Sequence, residues 1–256
     1  MSRLSVDQVY VTHYSPLRDR RKALERALAI LGIDATWITA YDREALTQHD
    51  IDTFVRQLDP QWSGKDIYFQ DIDFRHMRYQ PLNGSEISLA LKHAAALRHF
   101  CESGGRLALI LEDDVLFCRD FVEQFNRYLR QTPNDFGIIF PGDGCGLRVH
   151  SWDIRPGQVA YRMCPAMARC TDSYIITHSA ARKLLDHLLP IFLPADVQFT
   201  YWLRSLDIPT YWWDPNLITQ GSQVGIYEGS IRARADAVTP EPLTAASRQK
   251  WLIPDQ

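Results

Sequence analysis

The sequence lacks the features that mark membrane-spanning, disulfide-stabilised and nucleic-acid-binding proteins. It contains no run of 18 consecutive apolar residues, so no transmembrane helix is expected. Its first residues lack the apolar stretch of a secretory signal. Its five cysteines form no C-x-x-C pair, which disfavours a zinc site or a disulfide framework. A formal net charge of −3 argues against a nucleic-acid partner. We therefore expect a cytoplasmic protein, with peripheral attachment to the inner membrane face left open.

The length and the order of elements predict one α/β domain. A chain of 256 residues suffices for one large core but hardly for two full domains. We expect a single domain over residues 1–256, with its core at 8–220. Residues 221–256, rich in Gly, Ser and Arg at their start, are expected to fold over that core as a closing segment and tail.

Hydrophobic periodicity predicts a mostly parallel central sheet flanked by helices. A strand at residues 9–14, a helix that stops at Gly32 and a strand at 35–40 form a βαβ unit. Asn83 and Glu86 have the spacing of a capping box at the start of the next helix. Further helices are predicted at residues 120–130, 179–189 and 195–206, and further strands at 107–111, 136–140, 174–177 and 210–213. Residues 42–84 show no clear period.

Three adjacent acids follow an unbroken apolar strand. Residues 107–111 have no polar alternation, as in a strand buried on both faces, and Glu112, Asp113 and Asp114 come next. Ligands of open α/β sheets bind at the carboxyl ends of the strands. Oxygen ligands of this kind suit Mg²⁺ or Mn²⁺, which can also hold a diphosphate. The alternative is that these acids cap the following segment and are merely solvated.

A series of short motifs resembles glycosyltransferase family 25, which includes lipooligosaccharide and collagen galactosyltransferases. The resemblance spans roughly residues 9–232. It is carried, in the family's order, by Arg18-Asp19-Arg20-Arg21, Gly84-Ser85-Glu86-Ile87-Ser88, Lys92-His93, Ile110-Leu111-Glu112-Asp113-Asp114-Val115, Thr171-Asp172-Ser173-Tyr174, Pro194-Ala195-Asp196-Val197, Leu217-Ile218-Thr219-Gln220 and Ser230-Ile231-Arg232. The departures from the family pattern are Thr12-His13-Tyr14, Tyr41-Asp42-Arg43, Ser88 and Lys92.

The resemblance implies a GT-A type fold, that of the nucleotide-diphospho-sugar transferases, in which the acid triplet binds metal and donor. Asp114 is then the expected metal ligand, and Glu112 a second ligand or a contact to the ribose. Asp113 is a donor-binding candidate, or a structural acid if strand alternation turns it back into the protein. The implied cofactor is Mn²⁺ or Mg²⁺.

Other polar residues are weighed as donor-binding or catalytic groups. Asp196, at the start of a helix, is the candidate general base, with a helix cap as the alternative role. Asp172 competes for the base role, and Asp143 is a nearby loop acid. His93, among Ala and Leu, is more typical of a hydrogen-bonded core histidine. Guanidinium forks match phosphate oxygens, although solvated charges are the alternative for each arginine. The donor-binding candidates are Arg18 and Arg21 (with their neighbour Arg20), Gln220, Ser222, Ser230 and Arg232.

The predicted reaction is inverting transfer of a hexose from a nucleotide-sugar donor to a glycan or glycolipid acceptor. The resemblance implies UDP-galactose as donor and a lipopolysaccharide-like acceptor. Two alternatives stay open at this point. The same acids suit a metal-dependent phosphoryl-transfer or hydrolytic enzyme, and the same fold suits a non-catalytic carbohydrate-binding domain.

Overall fold

The computed structural model describes residues 3–56, 81–144, 146–229 and 242–253. Its strands are β1 (Gln8–Thr12), β2 (Thr36–Ile38), β3 (Leu107–Glu112), β4 (Val115–Phe117), β5 (Ile138–Phe140), β6 (Ala160–Arg162), β7 (Ser173–Thr177), β8 (Thr210–Trp213) and β9 (Ile218–Gln220). Its helices are α1 (Arg18–Leu31), α2 (Gln48–Phe54), α3 (Gly84–Ser103), α4 (Phe121–Gln131), α5 (His178–Leu188), α6 (Ala195–Ser205) and α7 (Ala245–Arg248). The α/β class is confirmed. None of the helices in these ranges offers an apolar stretch long enough to cross a bilayer.

The central sheet is mixed, which corrects the expectation of a mostly parallel one. Seven strands lie in the order β2-β1-β3-β7-β5-β8-β6. Three neighbouring pairs are parallel (β1–β2, β1–β3 and β5–β8) and three are antiparallel (β3–β7, β5–β7 and β6–β8). The expectation failed because an apolar run shows that both faces of a strand are buried, not how its neighbours run.

Strand β3 lies in the middle of the sheet and is buried on both faces, as its apolar run predicts. Leu109 and Leu111 join a core cluster with apolar residues of α1 and α4. Ala108 and Ile110 join a second cluster with residues of α3 and α5. All four are fully buried. This packing holds β3 in place, and the positions of the acids at its end are therefore well defined.

Helix α1 ends, and helix α3 begins, at the residues that the sequence predicts. Helix α1 stops at Gly32, whose φ of 65° is the left-handed conformation that glycine adopts without strain. Helix α3 starts with the predicted capping box. The side chain of Asn83 accepts hydrogen bonds from the backbone of Ser85 and Glu86, while Glu86 accepts one from the backbone N–H of Asn83. The cap fixes the first turns of α3 beside the end of β3.

A small second sheet connects the acids to a part of the chain about a hundred residues later. Strand β4 begins directly after Asp114 and pairs antiparallel with β9, so that Val115 faces Gln220. Neither strand was predicted, because three residues are too few to show a period. Beyond β9, Val224, Ile226 and Tyr227 pack against the first core cluster.

The stretch without a clear period contains α2, which starts at a capping box formed by Thr47 and Asp50. Strand β6, at the edge of the sheet, was likewise not predicted. Residues 57–80, which belong to the stretch without a clear period, lie outside the described residues. The expected division of the chain into a core at residues 8–220 and a segment at residues 221–256 stays a prediction.

Candidate functional site

A polar cavity of about 170 Å³ opens at the carboxyl ends of β1 and β3. In the parallel register of these strands Thr12 lies beside Glu112, so the two strands end together. The walls come from five parts of the chain: the end of β1 with the residues after it, the residues after β2, the first turns of α3, the acids at the end of β3, and the end of β9 with the residues after it. The lining residues are Thr12, Tyr14, Arg20, Arg43, Ser85, Ser88, Leu89, Lys92, Glu112, Asp113, Asp114, Gln220, Ser222, Gln223 and Gly229.

Asp113 is held by groups of the protein itself. Its Oδ2 lies 2.8 Å from Nδ1 of the buried His13 and accepts a hydrogen bond of 3.1 Å from the backbone N–H of Tyr14. Its Oδ1 accepts a hydrogen bond of 3.1 Å from Nη1 of Arg20. Three partners satisfy and orient this carboxylate. That geometry favours the structural role over the donor-binding role, although the donor-binding role stays a prediction.

Asp114 is buried without comparable support. Its Oδ2 lies 3.8 Å from Nη1 of Arg20, and its Oδ1 is buried with no hydrogen-bond partner among the described residues. Burial raises the pKa of Asp114 to about 6, and the neighbouring carboxylates of Glu112 and Asp113 add to the rise. Arg20 and a hydrogen bond from Ser222 oppose it. A positive charge beside the unpartnered oxygen would therefore stabilise the ionised form.

Glu112 is oriented by the loop before β7 and by α3. Its Oε1 accepts a hydrogen bond of 2.8 Å from Oγ1 of Thr171 and lies 3.5 Å from Nε2 of His93. His93 is fully buried, and its Nδ1 lies 3.1 Å from the hydroxyl of Tyr174. This agrees with the prediction of a core histidine. The imidazole ring of His93 also helps to position the carboxylate of Glu112.

The acids fit a partial metal site. Within the described ranges, no three His, Cys, Asp or Glu side chains are grouped so as to hold a metal ion by themselves. Nucleotide-bound Mg²⁺, however, usually takes one or two carboxylates and completes its shell with phosphate oxygens and water. The unpartnered Oδ1 of Asp114, with Glu112 on the same cavity wall, meets that requirement. Metal binding at these two residues stays a prediction.

Asp172 lies close to the acids but is sealed from solvent. It has no exposed surface; its Oδ2 accepts a hydrogen bond from Ser173, while its Oδ1 has no partner among the described residues. Burial raises the pKa of Asp172 well above its ordinary value, and the charge of Glu112 raises it further. A Cβ on Gly142 would lie 2.1 Å from Oδ2, so only glycine fits there. Because Asp172 has no exposed surface, an acceptor hydroxyl cannot reach its carboxyl group, which disfavours Asp172 as the general base.

Asp196 lies in the first turn of α6 and is half-buried. Its Oδ1 accepts a hydrogen bond of 2.9 Å from the backbone N–H of Val197. The lining of the cavity, as far as the chain is described, does not include Asp196. Both its predicted role as base and the alternative local role are compatible with this position, so the assignment stays a prediction.

Among the arginines of α1, the one at the site is Arg20. Arg18 is exposed, and Arg21 pairs with Glu25 at 2.8 Å and stacks over the ring of Trp37. Neither Arg18 nor Arg21 lines the cavity, and their predicted contacts to a donor stay untested. The spacing along the helix offers a signal for Arg20 that the sequence analysis did not use. Arg20 lies at the centre of the apolar face that includes Ala23 and Ala27, whereas Arg21 lies at the edge of that face and Arg18 lies on the opposite side of the helix.

Gln220 and Ser222 line the cavity together with the acids, as their predicted role requires. Between them, Gly221 donates a backbone hydrogen bond of 2.7 Å to the carbonyl of Asp114. A Cβ on Gly221 would lie 2.6 Å from the ring of Tyr227 and 2.8 Å from that carbonyl. Glycine therefore permits this close approach. The predicted donor-binding residues Ser230 and Arg232 lie outside the described residues.

Lys92 and Asp42, at two positions where the sequence departs from the family pattern, form an ion pair. Lys92 is buried, and its Nζ donates hydrogen bonds of 2.7 Å both to the carbonyl of Ala40 and to Oδ1 of Asp42. Burial lowers the pKa of Lys92, and the ion pair with Asp42 opposes that shift. Arg43 donates to Ser85 at 3.0 Å and lies over the ring of Tyr14. The cavity is thus lined by cationic groups as well as by acids. The sequence analysis did not assign Lys92 a role.

No protein-family model matches the chain. The solved structures that are similar to it include two that differ widely from it in sequence. One is A197 from STIV, with 13% identity, a TM-score of 0.38 and coverage of 82% of each chain. The other is described as a glycosyltransferase involved in the glycosylation of the major capsid of PBCV-1, with 11% identity and a TM-score of 0.42; the match covers 83% of this chain and 92% of that one. At such identities and TM-scores, neither likeness bears on the activity or the ligands of this chain. The GT-A type and the membership of family 25 stay predictions.

The raised pKa of Asp114 predicts a pH-dependent gain in stability for Asp114→Asn in metal-free buffer. The pKa rises from 3.8 to about 6 in the folded state, so the folded carboxyl binds its proton more tightly than the unfolded one. Its contribution to stability is full below about pH 4 and is lost as the pH rises through about 6. Asparagine does not ionise, and the free energy of unfolding should rise by about 2–3 kcal/mol near neutral pH.

Urea denaturation across this pH range, with a chelator present, measures the difference. Below about pH 4 the variant and the wild type should be equally stable. Asp153→Asn is the matched control, because Asp153 is exposed and should show no such trend. A variant that gains nothing near neutral pH would contradict the assignment of an uncompensated charge to Asp114.

Proposed function

We propose that the chain is a glycosyltransferase that uses a nucleotide-sugar donor together with Mn²⁺ or Mg²⁺. The observation that supports this most is the unpartnered, buried oxygen of Asp114 in a cavity lined by both acids and cations. A cavity that has one carboxylate oxygen without a partner, and that is also lined by cations, suits a ligand that brings a metal and negative phosphates together. The motif order that resembles family 25 supports the same conclusion.

Asp114 and Glu112 would hold the metal, which supplies positive charge that stabilises the departing diphosphate. Arg43 and Lys92 line the same cavity and would bind phosphate oxygens, because their positive charge complements the ligand. Ser85, Ser88, Gln220 and Ser222 offer neutral hydrogen-bonding groups, which suit the hydroxyls of a sugar or ribose.

The reaction proposed is inverting transfer. The oxygen of the acceptor hydroxyl forms a bond to the anomeric carbon on the face opposite the diphosphate, and the bond from that carbon to the diphosphate oxygen breaks. The hydroxyl proton passes to a carboxylate base, for which Asp196 is the candidate, and the nucleoside diphosphate leaves. The transition state carries positive charge on the sugar ring, as in glycoside hydrolysis. UDP-galactose is the proposed donor, and a lipopolysaccharide-like glycan or glycolipid the proposed acceptor.

Metal and UDP should bind to this site together. In titration calorimetry we expect UDP to bind more tightly with Mn²⁺ than with a chelator, because carboxylates and diphosphate share the cation. Asp114→Asn should remove most of the gain due to metal and leave the weak metal-free binding nearly unchanged. Asp153→Asn, at an exposed position, should behave like the wild type. Equal UDP affinity with and without metal in the wild type would exclude the metal role.

Asp196→Asn separates a chemical role of this residue from a local structural one. If Asp196 is the base, the transfer rate should fall about 10²- to 10⁴-fold while UDP binding is retained. Asparagine can still accept the hydrogen bond from Val197 through its amide oxygen, so the melting temperature should change little. Initial transfer rates and thermal melts of the same preparation give both quantities. A wild-type transfer rate would rule out the base assignment.

A further inference from the structure

One arginine on the apolar face of α1 connects the acids to the segment that follows β9. Only 7% of the Arg20 surface is exposed. A buried guanidinium needs hydrogen bonds and compensating charge on all sides, since an unpaired buried charge is strongly unfavourable. The partners that satisfy Arg20 lie in two parts of the chain about a hundred residues apart.

The two ends of the guanidinium fork have different partners. Nη1 donates to Oδ1 of Asp113 at 3.1 Å and lies 3.8 Å from Oδ2 of Asp114. Nη2 donates to the backbone carbonyl of Glu228. The flat face of the guanidinium lies 5.3 Å from the centre of the Tyr227 ring, within the range of a cation–π contact. Arg20 therefore bridges the acids of β3 and the chain near residue 228.

The first part of the predicted closing segment, residues 221–229, forms one wall of the cavity. From here on, the name closing segment refers to residues 221–229 alone. Ser222, Gln223 and Gly229 line the cavity directly. The first residue, Gly221, is tied to the acids through its hydrogen bond to the carbonyl of Asp114. The amides of Ile226 and Tyr227 both donate to the carbonyl of Gly221, which folds the segment back on itself. Its far end is held by Arg20 through Glu228 and Tyr227.

We infer that Arg20 is a positioning residue that holds the closing segment over the acids, and so completes the wall of the donor cavity. The donor part of this inference rests on the proposed function. The fork is essential, because two donors in a fixed plane reach a carboxylate and a carbonyl at once. Lysine keeps the charge but presents a single ammonium on a flexible stem, which cannot hold both partners in the same geometry.

The inference predicts a local effect of Arg20→Lys. Charge near Asp113 and Asp114 is retained, whereas the bond to Glu228 is lost. The closing segment should then open more often, and the amides of Ile226 and Tyr227 should exchange hydrogen about 10- to 100-fold faster, the range expected for one charge-assisted hydrogen bond. UDP affinity in the presence of Mn²⁺ should weaken by a similar factor, while kcat at saturating donor should change less.

Hydrogen exchange measured by mass spectrometry on peptides that cover the closing segment tests the inference in the full chain. Arg106→Lys is the matched control. It is the same chemical change at an exposed arginine next to the start of β3, at the opposite end of the strand from the acids. Fast exchange confined to the closing segment in Arg20→Lys, absent in Arg106→Lys, supports the inference. Wild-type exchange in this segment of a folded Arg20→Lys variant overturns it.

A second variant and the UDP-binding measurement ensure that every outcome of the experiment supports or contradicts the inference. If Arg20→Lys does not fold by far-ultraviolet dichroism, Tyr227→Leu replaces it, since leucine removes the ring contact but keeps an apolar group against the core. It should loosen the same amides to a smaller extent, and unchanged exchange in Tyr227→Leu would count against the inference. If the wild type fails to bind UDP at all, the proposed function fails. The exchange experiment still decides whether Arg20 holds the segment.

Discussion

The arrangement of the site depends on one electrostatic constraint: three consecutive carboxylates emerge where a fully buried strand ends. Carboxylates taken out of water must be paired with charge or hydrogen-bond donors. Asp113 meets that requirement within the protein, through His13, the backbone of Tyr14, and Arg20. Asp114 does not, because one of its oxygens has no partner among the described residues and its pKa rises to about 6. The difference between two neighbouring acids separates a structural carboxylate from one available to a ligand.

The same constraint explains why distant parts of the chain meet at this edge of the sheet. Arg20 comes from α1, Thr171 from the loop before β7, and the closing segment follows β9. Each of them donates to an acid of the triplet or lies against one. Glycines at positions 142 and 221 permit close backbone approach to Asp172 and Asp114, where a Cβ would overlap neighbouring atoms. The result is a polar cavity that is lined by the acids and by the cationic side chains of Arg43 and Lys92.

Much of this framework could be predicted from local patterns. The apolar run of β3, the glycine stop of α1 and the capping box of α3 are signals contained in a few adjacent residues, and all three are confirmed. Strand direction is not such a signal, because it depends on how β7 is inserted between β3 and β5. The short strands β4 and β9 have too few residues to show a period, so the pairing of Val115 with Gln220 was visible only in the fold.

The candidate site shows the same division between local and non-local information. The acid triplet and Gln220 were predicted from motifs, and Ser222 was predicted as a polar group of the following segment; the structure brings them to one cavity. Arg20 could have been singled out from its phase on the apolar face of α1. The sealed environment of Asp172 could not have been predicted, since it arises from Gly142 and Glu112, which approach Asp172 only in the folded chain. The pairing of Lys92 with Asp42 is likewise a contact between residues 50 positions apart.

The central claim is that these acids serve transfer of a sugar from a nucleotide-sugar donor. The most direct test incubates the protein and Mn²⁺ with a panel of nucleotide-sugars, with and without lipopolysaccharide-type glycan acceptors, and measures the released nucleotide. We expect release of UDP from one UDP-hexose, strongly increased by acceptor and accompanied by a glycosylated product. Hydrolysis of phosphoesters without any need for an acceptor, or binding of sugar nucleotides with no donor consumed, would contradict it.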